Sequence, residues 1–122
     1  MLSRSLRSLT ELATKLLKDG PVKTGVSPRR VRVQFGGEYI ADSLNPAYVW
    51  EHKYFPQYYF KLDQVKKVRW GNDIIEGKAC LGTVDVDGKS SDRVILFKDG
   101  PLKDLVRIEF AAMGELSCRL IR

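Results

Sequence analysis

The stretch RRVRVQFGGEYIADSLNPAYVWEHKYFPQYYF, Arg29 to Phe60, decides the fold class. Val31, Val33 and Phe35 alternate with Arg30, Arg32 and Gln34, the period of a half-buried strand. Gly36-Gly37 follows as a two-residue hairpin turn, since paired glycines accept the positive φ such turns need. EYIAD returns as the second strand, with Tyr39 and Ala41 on one face and Ile40 on the other. After the turn SLNP, two further strands are predicted, Tyr48 to His52 and Gln57 to Phe60, broken at Pro56.

Working outward, PVKTGVSPR (21–29) reads as a linker of Pro, Gly, Thr and Ser. Before it, Leu2, Leu6, Leu9, Leu12, Ala13, Leu16 and Leu17 recur at helical spacing, and Gly20-Pro21 stops the helix. Downstream, KLDQVKKVRW is ambiguous. KACLGTVDV and DRVILF read as strands around an Asp87-Gly88 hairpin turn, and a last strand follows Leu105, where Val106, Ile108 and Phe110 alternate against Arg107 and Glu109. Short strands with turn signals between them predict a mainly β, antiparallel domain with an N-terminal amphipathic helix. The expected divisions are a basic helix and linker over 1–28, a β domain over 29–113 and a C-terminal tail over 114–122.

The chain has 122 residues and two cysteines, Cys80 and Cys118. It is long enough to bury a core, and it has too few cysteines for a secreted disulfide scaffold. A reduced, cytoplasmic setting is expected. The first ten residues hold Arg4, Arg7, three serines and no acid, as mitochondrial presequences do, but Glu11 and Asp19 interrupt that pattern. No apolar run is long enough to cross a membrane, and no membrane association is expected. The net charge of +6 resides wholly in residues 1–35, and the rest of the chain is neutral. A basic arm alone is weak evidence for nucleic acid, whose binders build the basic footprint into a folded face, so no specific nucleic-acid partner is expected.

GTVDVDGKSS (82–91) suggests phosphate or metal chemistry, but it has one residue too many between its glycines for a P-loop, and Lys89 stands where an EF-hand needs a ligand. Asp85 and Asp87 could share one face of a strand and hold a Mg²⁺, or simply flank a hairpin turn. His52 has neither a nucleophile nor an orienting carboxylate beside it in sequence, and a pairing with Cys80 carries no flanking signature. On the predicted strand Tyr48, Trp50 and His52 share one side, and Val49 and Glu51 the other. A carboxylate beside an apolar Val49 is expected to be partly buried and to need a donor, with Arg30, Arg32 and Arg69 as candidates. Two arrangements stay open for Glu51: an ion pair that fixes strand register, or a carboxylate at the foot of an aromatic pocket.

The Arg29–Phe60 stretch, with its glycine turn, its A-D-S, its V-W-E strand and a Y-Y-F segment leading to Leu62-Asp63, resembles the family of domains of unknown function numbered 427. The likeness runs densely to Val65, more loosely through GKACLGTVDV, and resumes at LVRIEFAAM. The helix followed by SPRRVRV is similar to fungal members. The resemblance implies an antiparallel fold of the β-tent type, without the cysteines by which related architectures hold zinc. It implies Gly37, Asp42, Trp50, Glu51 and Tyr58 as marked positions, without roles. The family carries a nucleotidyltransferase label, which no motif in this chain supports. Long members continue into a second copy of the domain, whereas this chain reads GELSCRLIR after Met113. A truncated gene product, a mis-spliced one and a single-copy variant are the three readings of that departure, each with the second copy missing.

The leading expectation is a pocket lined by Trp50, Tyr54 and Tyr58, with Glu51 as polar anchor and Gly37 and Asp42 nearby, binding a small ligand or a protein partner. The alternatives are a Mg²⁺-dependent nucleotidyltransferase built on Asp85 and Asp87, and a non-catalytic interaction module using the basic N-terminal arm. No catalytic residue, metal ligand or cofactor is assigned.

Overall fold

The computed structural model describes residues 4–109 and 118–121. Its elements run α1 (Arg4–Asp19), β1 (Lys23–Val26), β2 (Val31–Phe35), β3 (Glu38–Ser43), β4 (Ala47–Trp50), β5 (Gln57–Lys61), a 3₁₀ turn at Leu62–Gln64, β6 (Val68–Ile75), β7 (Ala79–Val86), β8 (Lys89–Phe97), β9 (Leu105–Ile108) and β10 (Cys118–Ile121). The fold is mainly β with one N-terminal helix, as the alternating pattern predicts. All strand pairs are antiparallel. Seven strands form an open sheet in the order β1-β4-β5-β9-β8-β7-β6, and three form a second sheet in the order β10-β2-β3.

In β2, Val31, Val33 and Phe35 are buried, while Arg32 and Gln34 are half-buried on the other face. The β2–β3 turn places Gly36 at φ 58° and Gly37 at φ 88°, a backbone that L side chains rarely adopt. The return strand departs from strict alternation. A register shift at Val33/Gln34 turns both Ile40 and Ala41 into the core, so Ala41 does not share Tyr39's more exposed environment. β4 also ends two residues earlier than its pattern suggests, and residues 51–56 form a loop.

Three segments gain order that the sequence did not signal. Residues 23–26, read as linker, form β1 and pair with β4 from Lys23↔Trp50 to Val26↔Ala47. Four mostly exposed residues carry too little apolar alternation to announce a strand, and pairing with β4 supplies the order instead. The ambiguous KLDQVKKVRW splits into the 3₁₀ turn and the start of β6. Within the segment read as a tail, Cys118–Ile121 pairs with β2. Strand β9 follows Leu105 as expected, whereas Phe110 to Met113 lie outside the described residues.

The two faces of the seven-stranded sheet are both covered. On one, Val31, Val33, Phe35 and Ile40 of the small sheet pack against Phe60, Val84, Val94, Leu96 and Val106. On the other, Leu9, Ala13 and Leu16 of α1 meet Val49, Tyr59, Ile95, Phe97 and Leu102. The spacing i, i+4, i+7 places these helix residues on one stripe. Gly20, at φ 76°, ends the helix and donates its N–H to the Leu16 carbonyl at 3.0 Å. The basic N-terminal segment is therefore an integral layer of the domain from Leu9 onward.

Candidate functional site

β4 and β5 divide the signature stretch between two opposite faces. On the small-sheet side, Tyr48 lies directly across from Tyr58, and Trp50 follows two residues along β4. The ring centroids are 5.3 Å apart for Tyr48–Tyr58 and 5.8 Å for Tyr48–Trp50. All three side chains are half-buried, and Tyr58 also packs on the core. The Lys23 ammonium stands 4.3 Å from the Trp50 ring centroid, a cation–π contact made possible because β1 pairs beside β4. These rings form an aromatic shelf with one cation at its end.

The loop after β4 carries its own group of aromatic rings. Tyr54 donates its N–H to His52 Nδ1 at 3.1 Å, and the His52 ring meets Phe55 edge-on at 4.6 Å. Tyr54 and Phe55 are 76% and 54% exposed. His52 thus organises the loop. The thiol of Cys80 is buried in the core between the sheets, where burial pushes its pKa up and leaves it inert as a nucleophile.

Glu51 faces the helix side, with Val49, and its carboxylate is closed off. Arg107 donates to it from Nε at 2.6 Å and from Nη2 at 3.2 Å, and the Tyr59 hydroxyl donates as well. The side chains of Arg107 and Glu51 are only 9% and 7% exposed. The partner is none of the three arginines expected from sequence. Arg30 forms a bidentate pair with Asp42, and Arg69 pairs with Asp85. Arg32 lies over the Tyr39 ring. Arg107 sits on β9, in register with Tyr59 on one side and Ile95 on the other. Burial opposes its charge, but the hydrogen bonds and charge of Glu51 outweigh it and hold the guanidinium above its ordinary range. Burial first, and then the Glu51 charge, raise the Tyr59 pKa far out of the physiological range, so the phenol serves as a fixed donor. The charges continue along the same face: Arg107 Nη1 lies 3.7 Å from Glu109, which pairs with Arg93 at 2.5 Å. Alternation placed Arg107 and Glu109 on the face away from the core. That face has its own covering layer, and a single strand's period does not reveal a second layer.

The expected site residues therefore fall into separate places. Trp50 and Tyr58 share the shelf through Tyr48, and Tyr54 belongs to the loop at its end. Glu51 lies behind the shelf. Gly37 and Asp42 belong to the small sheet: Gly37 to the β2–β3 turn, where its carbonyl accepts from Gln34 Nε2 at 3.4 Å, and Asp42 to the ion pair with Arg30. Asp85 is held by Arg69 at 3.0 Å, and Asp87 occupies the exposed β7–β8 turn at φ 48°. Among the described residues no group of three or more His, Cys, Asp or Glu side chains is placed to hold a metal ion, and no helix is long and apolar enough to cross a membrane.

Known proteins place the chain by family alone. No curated protein matches it in sequence. The profile of one family, described as a domain of unknown function, matches residues 24–110, which takes in all strands from β1 to β9 except the first residue of β1. With most of its length matched in this way, the chain belongs to the DUF427 family.

Proposed function

We propose that this DUF427 domain is a binding module whose contact surface is the Tyr48–Trp50–Tyr58 shelf, extended by Tyr54, and whose ligand is a small planar aromatic or heterocyclic molecule. The observation that carries this reading is the row of three half-buried rings across β4 and β5, with the Lys23 ammonium at its edge. Rings of this kind supply contact area at little conformational cost, and a nearby cation adds selectivity for ligands with an anionic substituent. In this reading Glu51 acts from behind: its bonds to Tyr59 and Arg107 tie the loop after β4 to β5 and β9, holding the Trp50 backbone in place.

The test is a thermal-shift screen with nucleotides and aromatic metabolites, followed by titration of hits against Trp50 fluorescence in a Trp70→Phe background. A true ligand raises the melting temperature of the parent, and Trp50→Leu or Tyr58→Leu abolishes its effect. A screen without hits, or hits that survive both substitutions, refutes the assignment.

A further inference from the structure

A cleft lies on the outer face of the small sheet, on residues separate from the shelf. Arg30 just before β2, Arg32 of β2, Tyr39 and Asp42 of β3, and Lys66 of the loop between the 3₁₀ turn and β6 border this cleft of about 510 Å³. Its geometry is set by the backbone. Val65 bridges to Ala41, and Lys66 donates its N–H to the Ile40 carbonyl at 2.8 Å, so the loop lies along β3 like a fourth strand. The Arg32 guanidinium rests 4.7 Å from the Tyr39 ring centroid, which orients its planar fork.

The charges around this cleft are unbalanced in a specific way. Arg30 occupies both oxygens of Asp42, at 2.9 and 2.6 Å. The Asp42 carboxyl is held below its usual range by the Arg30 hydrogen bonds first, and by Arg32 and Lys66 as further nearby positive charges. Neither Arg32 nor Lys66 has a carboxylate of its own within ion-pair distance among the described residues. Asp63 also borders the cleft, so the excess is a single positive charge over the whole lining, carried by two cations without a direct partner. Two such cations on one rigid surface, one of them a pre-oriented guanidinium, are the donor set that recognises a tetrahedral oxyanion.

We propose that this cleft binds a phosphate monoester, with Arg32 and Lys66 as the direct donors and Asp42 as a restraint that keeps the Arg30 guanidinium occupied at the cleft's edge. The volume suits a small ligand rather than a macromolecular backbone. The restraint has a diagnostic consequence. Removing the Asp42 charge both frees the Arg30 fork and lifts a repulsion on the anion, so it strengthens binding, an outcome that an ion pair remote from the anion does not produce.

The test is a titration of the whole chain with inorganic phosphate and with phenyl phosphate, read by NMR shifts of the Arg32 side chain and the Tyr39 ring. Saturable binding of both is expected. Arg32→Gln and Lys66→Gln should each weaken it by about tenfold, the equivalent of one charge-assisted hydrogen bond. Asp42→Asn should tighten it by a similar factor. Arg69→Gln, which removes an exposed arginine from the other sheet, should leave it unchanged. All four positions are at or near the surface, and a cooperative thermal transition in each variant establishes that it is folded. Shifts that do not saturate, equal weakening by Arg69→Gln, or loss of binding in Asp42→Asn overturn the proposal. Because the shelf shares none of these residues, failure here leaves the shelf reading standing.

Discussion

Glu51→Gln is the most informative single substitution in this domain. It preserves the shape of the side chain and its acceptor for Tyr59 while removing the charge that faces Arg107. The guanidinium is then left 9% exposed with its nearest full carboxylate, Glu109, 3.7 Å from Nη1. Breaking one side of a buried pair costs about 3–5 kcal/mol, because the orphaned charge has lost its water without keeping its partner. Glu109 softens that loss, so the lower end, about 3 kcal/mol, is expected. Against a total stability of about 5–15 kcal/mol this is a large fraction. Arg107→Met should destabilise by a comparable amount, leaving Glu51 with only the Tyr59 hydroxyl. The double variant should be less damaged than the two singles added together, with a coupling of about 2 kcal/mol, as befits direct contact. Equilibrium urea unfolding followed by tryptophan fluorescence measures all four corners of the cycle. A loss below about 1 kcal/mol for Glu51→Gln, the scale of an exposed pair, would show that Arg107 is not effectively buried. Additivity within about 0.5 kcal/mol would show that the pair is not coupled.

Three other outcomes follow from the packing and the charges. Leu16→Ala, at a position 1% exposed under the helix, should destabilise the domain by about 2–5 kcal/mol in the same urea assay, which would mark α1 as core and not a detachable arm. Gly82→Ala would place a Cβ 2.6 Å from Trp70 Cζ3 and 2.7 Å from Val68 Cγ1, and should lower stability by about 1–3 kcal/mol with a change in Trp70 emission. Acidification should destabilise through Asp42 and Asp73. Hydrogen bonds from Arg30 to Asp42, and from Lys98 and then the Gly77 N–H to Asp73, hold both carboxyls below their unfolded-state values. The unfolded chain then binds more protons, so their contribution is complete above a pH of about 4 and fades as pH falls through the folded values. Melting temperature followed down that range should drop less steeply in Asp42→Asn and Asp73→Asn than in the parent.

The helix packing also bears on the basic-arm reading. Deleting residues 1–29 would remove Leu9, Ala13 and Leu16 from the core and β1 from the edge of the large sheet. Lost binding in such a truncation would report unfolding as readily as lost charge. Neutralising Lys15 and Lys18 in the intact chain tests the arm without that damage, since both side chains are exposed.

The amino-acid sequence by itself determined the local geometry. Alternation in VRVQF, the double glycine at 36–37, the Asp87-Gly88 turn and the leucine stripe of the helix each depend on neighbours within a few residues, and each appears where its pattern places it. The sequence also singled out Glu51 as a carboxylate on a covered face, from Val49 two positions away. Tertiary structure alone decided what lies across from each strand. It recruited 23–26 and 118–121 as edge strands and chose Arg107 from 56 residues away as the partner of Glu51. It also brought Lys66 beside Arg32 and Asp42, by laying an irregular loop along β3. The physical reason is the same throughout. A strand's period reports which residues share a face, whereas the layer that covers that face, and the charge that meets a carboxylate there, come from segments far away in the chain.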